Sequence, residues 1–379
     1  MKMLFPKLLI FVAVAIMSIG LSPDVPGHQT AVHNTSSQID SCEGKIKLTL
    51  ARTWGGDETD DENQFFRYPM DIKISNEGLV HIVDTGNNRI QVFDRTGNYK
   101  KTIGREGKGP QDLLKPCAIT FVHGRELVVA ERDNHRIQIF DPMDRYLHSF
   151  KTINTTPSFI ATTRKDEIAA FSYKRSFESR TLITLYTPQG KIIREIGKIQ
   201  DSAKSILNFE VLFFVLDNND NFFISYYATP YYRKYNYDGK SEMIVTYQVP
   251  FETPVVYMEK PREEPVIKGT KKGRVCSGLS IDDRGRIFLV AATREQKKSE
   301  RFFLVSDGPG TMRKWPKEAV TEKTDWFRLL VFDPGGKVIA AKKLDVFCDC
   351  IYVHEDSLFI IDTYMGMKIY EYKINFDGQ

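Results

Sequence analysis

From residue 45 onward the chain is a succession of short apolar runs, each of strand length and each closed by turn-forming residues. LVHIVD (79–84) and RIQVFD (89–94) are rich in β-branched and aromatic residues, and DTGNN and DRTGN follow them as turn chemistry. Around them the pattern predicts four antiparallel strands at 70–75, 79–84, 88–94 and 99–104. The unit then repeats. Residues 69–99 and 116–146 align without a gap at an offset of 47, keeping Pro69/Pro116, Ile72/Ile119, Asn87/Asn134, Arg89/Arg136, Ile90/Ile137, Gln91/Gln138, Phe93/Phe140, Asp94/Asp141 and Tyr99/Tyr146. Periods of roughly 40–50 residues belong to propeller blades or helical arrays, and strand signals select the first.

Weaker copies follow in the same order. SFIATTR, IAAFSYK, TLITLYT and KIIREIG form one unit, FEVLFFVLD, FFISYY, YRKYNYD and SEMIVTYQV a second, and GLSID, RIFLVAA, WFRLLVFD and KVIAAKKL a third. That makes five blades. The sixth, residues 349–374, supplies only CIYVH, LFIID and KIYEYKI before the chain stops. Upstream, KIKLTLARTWGG (45–56) resembles an outer strand, with Thr53 and Gly55 matching Thr102 and Gly104 at an offset of 49. The expected fold is therefore all-β: a six-bladed β-propeller of four-stranded antiparallel blades, closed by an N-terminal strand that completes the last blade. Residues 45–54 should pair with 368–374, and closure removes the open sheet edges that invite aggregation.

Two blades carry a specific resemblance. GREGKGPQDLLKPCAI with VVAERDNHRIQIFD, and PMDIKI with HIVDTGNNRIQVFD, resemble the NHL repeat; the other blades match it loosely, through Tyr186 and Gly190, Tyr235 and Gly239, and Phe332 and Gly336. The resemblance implies a six-bladed propeller and, in family members, a platform that binds protein, peptide or RNA. It also implies that the acid and Arg pairs Asp84/Arg89 and Glu131/Arg136 pin a turn rather than form a site.

The 379 residues are 41% apolar, with 25 Phe and 17 Tyr, enough for a large core. MKMLFPK precedes an uncharged run from Leu8 to Leu21, too short for a spanning helix, and Ser18 and Gly20 suit cleavage after Gly20. The domain reading is thus a signal peptide at 1–20, a flexible stalk at 21–44 and the propeller at 45–379, in an exported protein that is periplasmic, cell-surface or secreted. An uncleaved N-terminus would instead associate it with the membrane. The net charge of +4 implies no strong field for nucleic acid. Five cysteines are too few for a disulfide scaffold, and the Cys348/Cys350 pair lacks zinc-site spacing. Cys117, Cys276 and Cys348 fall at the starts of innermost strands in blades 2, 5 and 6, where no bridge between Cys117 and Cys276 is expected.

The turns between first and second strands (SNEG, 75–78) and between third and fourth (DRTG, 94–97) are tight, whereas the other two connections vary in length. Because strands alternate in direction, the variable loops (55–68, 105–116, 198–208, 250–277 and 293–325) emerge on one face, the expected binding face. Candidate contacts there are Asn87, Asn88, Arg132, Asn134 and His135 near the channel mouth. Tyr226, Tyr227 and Tyr231, with Tyr232, surround the fourth blade's turn and offer stacking area to whatever extent alternation leaves them exposed. Acids (Asp57, Glu58, Asp60, Asp61, Glu62) and bases (Lys268, Lys271, Lys272, Arg274) crowd two of the loops and would make that rim dipolar. The functional reading is an extracytoplasmic binding or sensing module for a protein, peptide or glycan partner, with no cofactor and no nucleic acid. The alternative is a metal-dependent lyase or lactonase with its site at the central channel. Against it, only seven His exist, two of them (His28 and His33) in the stalk, and the other five, His81, His123, His135, His148 and His354, occupy non-equivalent repeat positions.

Overall fold

The computed structural model describes residues 29–55, 62–152, 155–174, 181–198, 212–251, 255–257, 266–268, 274–297, 302–308, 311–316 and 323–377. The expected signal peptide, residues 21–28 of the stalk, the acids at 57–61 and Lys271 and Lys272 lie outside them.

Six four-stranded antiparallel sheets appear in chain order. We call their strands a to d from the channel outward. Blade 1 comprises Pro69–Ile74, Val80–Asp84, Arg89–Phe93 and Tyr99–Ile103. Blade 2 comprises Pro116–Val122, Glu126–Glu131, Arg136–Phe140 and Tyr146–Lys151. Blade 3 runs from Thr155–Thr162 to Ile192–Lys198 and blade 4 from Leu212–Leu216 to Ser241–Tyr247. Blade 5 is made of Cys276–Ile281, Ile287–Ala292, Phe327–Phe332 and Val338–Leu344. Its long b-to-c insertion carries a hairpin, Phe302–Gly308 with Thr311–Pro316, and a smaller hairpin, Val255–Tyr257 with Val266–Lys268, precedes the blade. The a strands touch one another in sequence around the ring, the sixth returning to the first.

The last blade is assembled from both parts of the chain. Cys350–His354, Ser357–Asp362 and Lys368–Phe376 supply strands a to c, and Ile46–Gly55 supplies strand d, in register from Ile46 opposite Phe376 to Gly55 opposite Lys368. The expected closure is thus present. The closing strand packs on both faces: Trp54 is buried toward blade 1 and Ile46 toward blade 5, the bulge between Leu50 and Arg52 switching the face, while Leu50 is 52% exposed.

The core lies between blades. Each interface among the described residues holds one apolar cluster, for example Val83, Ile90, Ile119 and Val129 between blades 1 and 2, and Trp54, Ile72, Phe93 and Phe359 between blades 6 and 1. A sheet covered on both faces explains why strand b of blade 1 is buried at every position although its sequence includes His81 and Asp84. All five cysteines are free, and Cys117, Cys276 and Cys348 are buried.

The stalk reading needs correction from residue 29 onward. Thr30–Asn34 forms a fifth strand on blade 4, parallel to Ser241–Tyr247, and Ser36–Ser41 is a helix. Thr35 caps that helix: its hydroxyl accepts from the Gln38 amide, and the Gln38 side chain accepts from the Thr35 amide. Ile39 and Cys42 then enter the cluster between blades 4 and 5. Asn34 is 3% exposed and clips the segment to blade 5, its side chain donating to the Gly336 carbonyl and accepting from the Val338 amide. The segment was hidden in the sequence because it is short and mostly polar: main-chain pairing, one buried amide and the two scattered apolar side chains Ile39 and Cys42 hold it, without a periodic apolar stripe.

Candidate functional site

The b-to-c turns of blades 1 and 2 show how the loop face is built. Asp84, at the end of strand b, is fully buried and accepts from the Arg67 amide at 2.7 Å, from Asn87 at 2.9 Å and from the Arg89 guanidinium at 2.8 Å. Burial pushes its carboxyl up, and these three donors pull it back. One blade on, Glu131 accepts from the Leu114 amide, Asn134, Arg136 and Gln138. Arg89 and Arg136 spend their remaining donors on loop carbonyls, those of Phe65 and of Lys108, Gly109 and Asp112. Both pairs are therefore scaffold, tying each turn to the loop that precedes its blade. Gly86 is pressed against that loop: a Cβ there would stand 2.6 Å from the Arg67 carbonyl oxygen.

The candidate contacts divide accordingly. Asn87 and Asn134 donate to these acids and to the carbonyls of Phe65 and Gly107. Asn88 is buried in left-handed backbone at φ 55°, donating to Glu106 and accepting from the Lys115 amide. His135 holds the equivalent left-handed position at φ 51° and is exposed, its Nδ1 3.0 Å from the Thr156 hydroxyl. The three asparagines thus hold turns together.

Exposed stacking by Tyr226 and Tyr231 is not what the structure shows. They are 8% and 3% exposed, with ring centroids 5.0 Å apart in the cluster between blades 3 and 4, beside buried Arg233. Tyr232 is fully buried on the opposite side of its strand, against Phe332. Alternation along strand c sends neighbouring rings to opposite interfaces, and a propeller blade buries both. Tyr227, the first residue after strand b, escapes this and stays partly exposed.

Arg132 occupies the same place after strand b in blade 2, and these two belong to a group that the sequence reading did not assemble. Tyr364 follows strand b of blade 6, and its ring lies 6.0 Å from that of Tyr68, just before strand a of blade 1. Arg274 and Asp349 precede strands a of blades 5 and 6 and are paired at 2.8 Å; the guanidinium also donates to the Cys348 carbonyl at 2.5 Å and lies 5.7 Å from the Tyr227 ring. Burial opposes the Arg274 charge, but Asp349 and Tyr227 outweigh it and its pKa stands above the usual value. Burial pushes the Tyr364 hydroxyl up to about 12, Asp349 adding to the effect while Arg132 and Arg274 oppose it. Arg132, Tyr227, Arg274 and Asp349 therefore all act electrostatically on one phenol. Five of the six blades contribute to this ring at the channel mouth.

Arg132 differs from the other arginines of this face. Its contact is the Met70 sulfur at 3.2 Å, and among the described residues no carboxylate stands within ion-pair distance. Tyr68 and Lys115, each followed by a proline, share left-handed backbone at φ 53° and 50°. For non-glycine residues this is strained, and such strain gathers where geometry is imposed by use. Nearby, Asp362 turns into its own loop, accepting from the Met365 and Gly366 amides; burial first and Asp349 second push it up to about 7. Among the described residues no group of three or more His, Cys, Asp or Glu is placed to hold a metal ion.

Known proteins with this architecture follow from the fold. A Bacteroides fragilis protein thought to be exported superposes over 92% of this chain and all of its own, with a TM-score of 0.56 at 9% identity. A Bacteroides vulgatus protein covers 87% of this chain and 99% of its own, with a TM-score of 0.54 at 11% identity. At these identities the likeness is one of fold. In sequence, 135 residues, 35% of this chain, are 26% identical to protein brain tumor of Drosophila melanogaster, and the match spans 12% of that protein's length. Residues 58–279 match the 6-bladed beta-propeller family, which is more than half of the chain, and the chain belongs to that family.

Proposed function

We propose that this propeller is an extracytoplasmic binding module whose partner, a protein, peptide or glycan, engages the loop-rich face at the channel mouth. The observation that carries the reading is the convergence of Tyr68, Arg132, Tyr227, Arg274, Asp349 and Tyr364 from five blades, with Arg132 lacking a carboxylate among the described residues. Tyrosines and arginines are the side chains that anchor interfaces, offering large contact area at small entropic cost. The opposite face offers only minimal turns, such as those that Asp94, Asp141 and Asp217 close by accepting from the amides of Asn98, Arg145 and Asn221. Export rests on the charged start and apolar run of residues 1–21 and agrees with the exported character ascribed to the Bacteroides fragilis neighbour.

The test compares faces. The full chain is used as bait for the envelope fraction of its source, alongside Arg132→Ala/Tyr227→Ala and Glu77→Ala/Asn98→Ala variants. Retention of the same partner should fall about thirtyfold or more in the first variant, as for interface anchors. It should be unchanged in the second. Loss confined to the second would place the functional face on the other side.

A further inference from the structure

Resting on that reading, we infer that the channel mouth takes one acidic sugar residue, a uronate at the end of a glycan, with its carboxylate on Arg132 and its ring against the tyrosines. Three features of the mouth specify this chemistry. The first is charge. The Arg274–Asp349 pair is internally balanced and Asp362 is occupied by its own turn, so Arg132 remains as a fork of donors without a carboxylate among the described residues. Lys115, at the position that Tyr68 holds in blade 1, is joined to it through the main chain, its carbonyl accepting from the Arg132 amide. Guanidinium suits a carboxylate because two parallel N–H donors meet two oxygens.

The second feature is surface. Tyr68, Tyr227 and Tyr364 supply aromatic faces around the opening. Among the described residues no hydrogen bond engages the hydroxyl of Tyr68 or Tyr227, so both can donate to and accept from a hydroxyl-rich ligand. The third is place. These groups gather at one end of the ring of six innermost strands, where a terminal residue can bring its carboxylate and its ring to them together. An acidic peptide would also satisfy Arg132, and the tetrapeptide in the test below separates it from the sugar acid.

Calorimetric titration of the full chain tests the assignment with galacturonic acid, trigalacturonate, methyl galacturonate ester, galactose and a tetrapeptide ending in aspartate. Saturable binding of the two free uronates is expected, weakened about tenfold or more by esterification and by Arg132→Gln, with a smaller loss in Tyr227→Ala. Arg132→Lys should recover only part of the affinity. If Arg132→Gln fails to fold, the preference of the native chain for the acid over its ester still decides the point. Absence of uronate binding up to roughly 10 mM, uronate binding that ignores both the ester and Arg132, or binding of the peptide alone would each overturn the inference. Should envelope capture still depend on Arg132 and Tyr227 in any of those cases, the binding face stands and only the sugar is wrong.

Discussion

Trp54 is the residue through which the ring seal can be measured. Its ring is 1% exposed, 5.9 Å from Phe359, with the Arg52 guanidinium 5.2 Å from its own centroid, and it belongs to the cluster that joins blade 6 to blade 1. Replacing a buried Trp by Ala costs about 3–5 kcal/mol in lost transfer and cavity. The indole N–H, however, has no hydrogen-bond partner, and deleting an orphaned buried donor returns about 1 kcal/mol. The net expectation for Trp54→Ala is a loss of about 2–4 kcal/mol in urea unfolding. Trp54→Phe keeps most of the ring and removes the orphan donor, so it should change stability by less than about 1 kcal/mol. Leu50→Ala, at an exposed position of the same strand, should stay within about 0.5 kcal/mol. Equal, small effects at Trp54 and Leu50 would show that strand 46–55 does not hold the last blade in solution, and the closure argument would fail.

Two further outcomes are expected. Asp362 holds its proton to about pH 7 in the folded chain against an ordinary value near 3.9, so its contribution is fully present below the unfolded value and is lost as pH rises through 7. Stability should therefore fall by at most about 4 kcal/mol between roughly pH 4 and 7, and urea midpoints of Asp362→Asn should lack this component; parallel curves for the two proteins would refute it. Asn34→Ala leaves the Val338 amide and the Gly336 carbonyl unpaired in the core and should cost about 2 kcal/mol, read as earlier hydrogen exchange in residues 30–41; unchanged exchange would mean the segment does not depend on this clip.

The blades were legible because each repeats strand-length apolar runs at fixed intervals and because DTGNN and its relatives mark turns chemically. The last blade's borrowed strand was legible by counting, since a three-stranded blade leaves an unpaired edge. The channel mouth was only half legible. Arg132 and Tyr227 stand beside turns that attract notice, but Tyr68, Asp349 and Tyr364 are scattered over nearly 300 residues and meet only because they lie close to the starts of strands a and just past the ends of strands b. Projecting those places onto the six repeats would have found them. The tyrosines of blade 4 misled for the opposite reason: a turn flanked by aromatics reads as exposed, while stacked blades leave no open side for strand residues.

The parallel strand at Thr30–Asn34 also changes how the molecule carries load. The chain entering at residue 29 is fastened first to blade 4, next to blade 5 through Asn34 and Ile39, and only then reaches the ring-closing strand in blade 6. Tension applied through the N-terminus must strip an anchorage spread over two blades before it reaches the seal, so these residues act as strain relief for the joint.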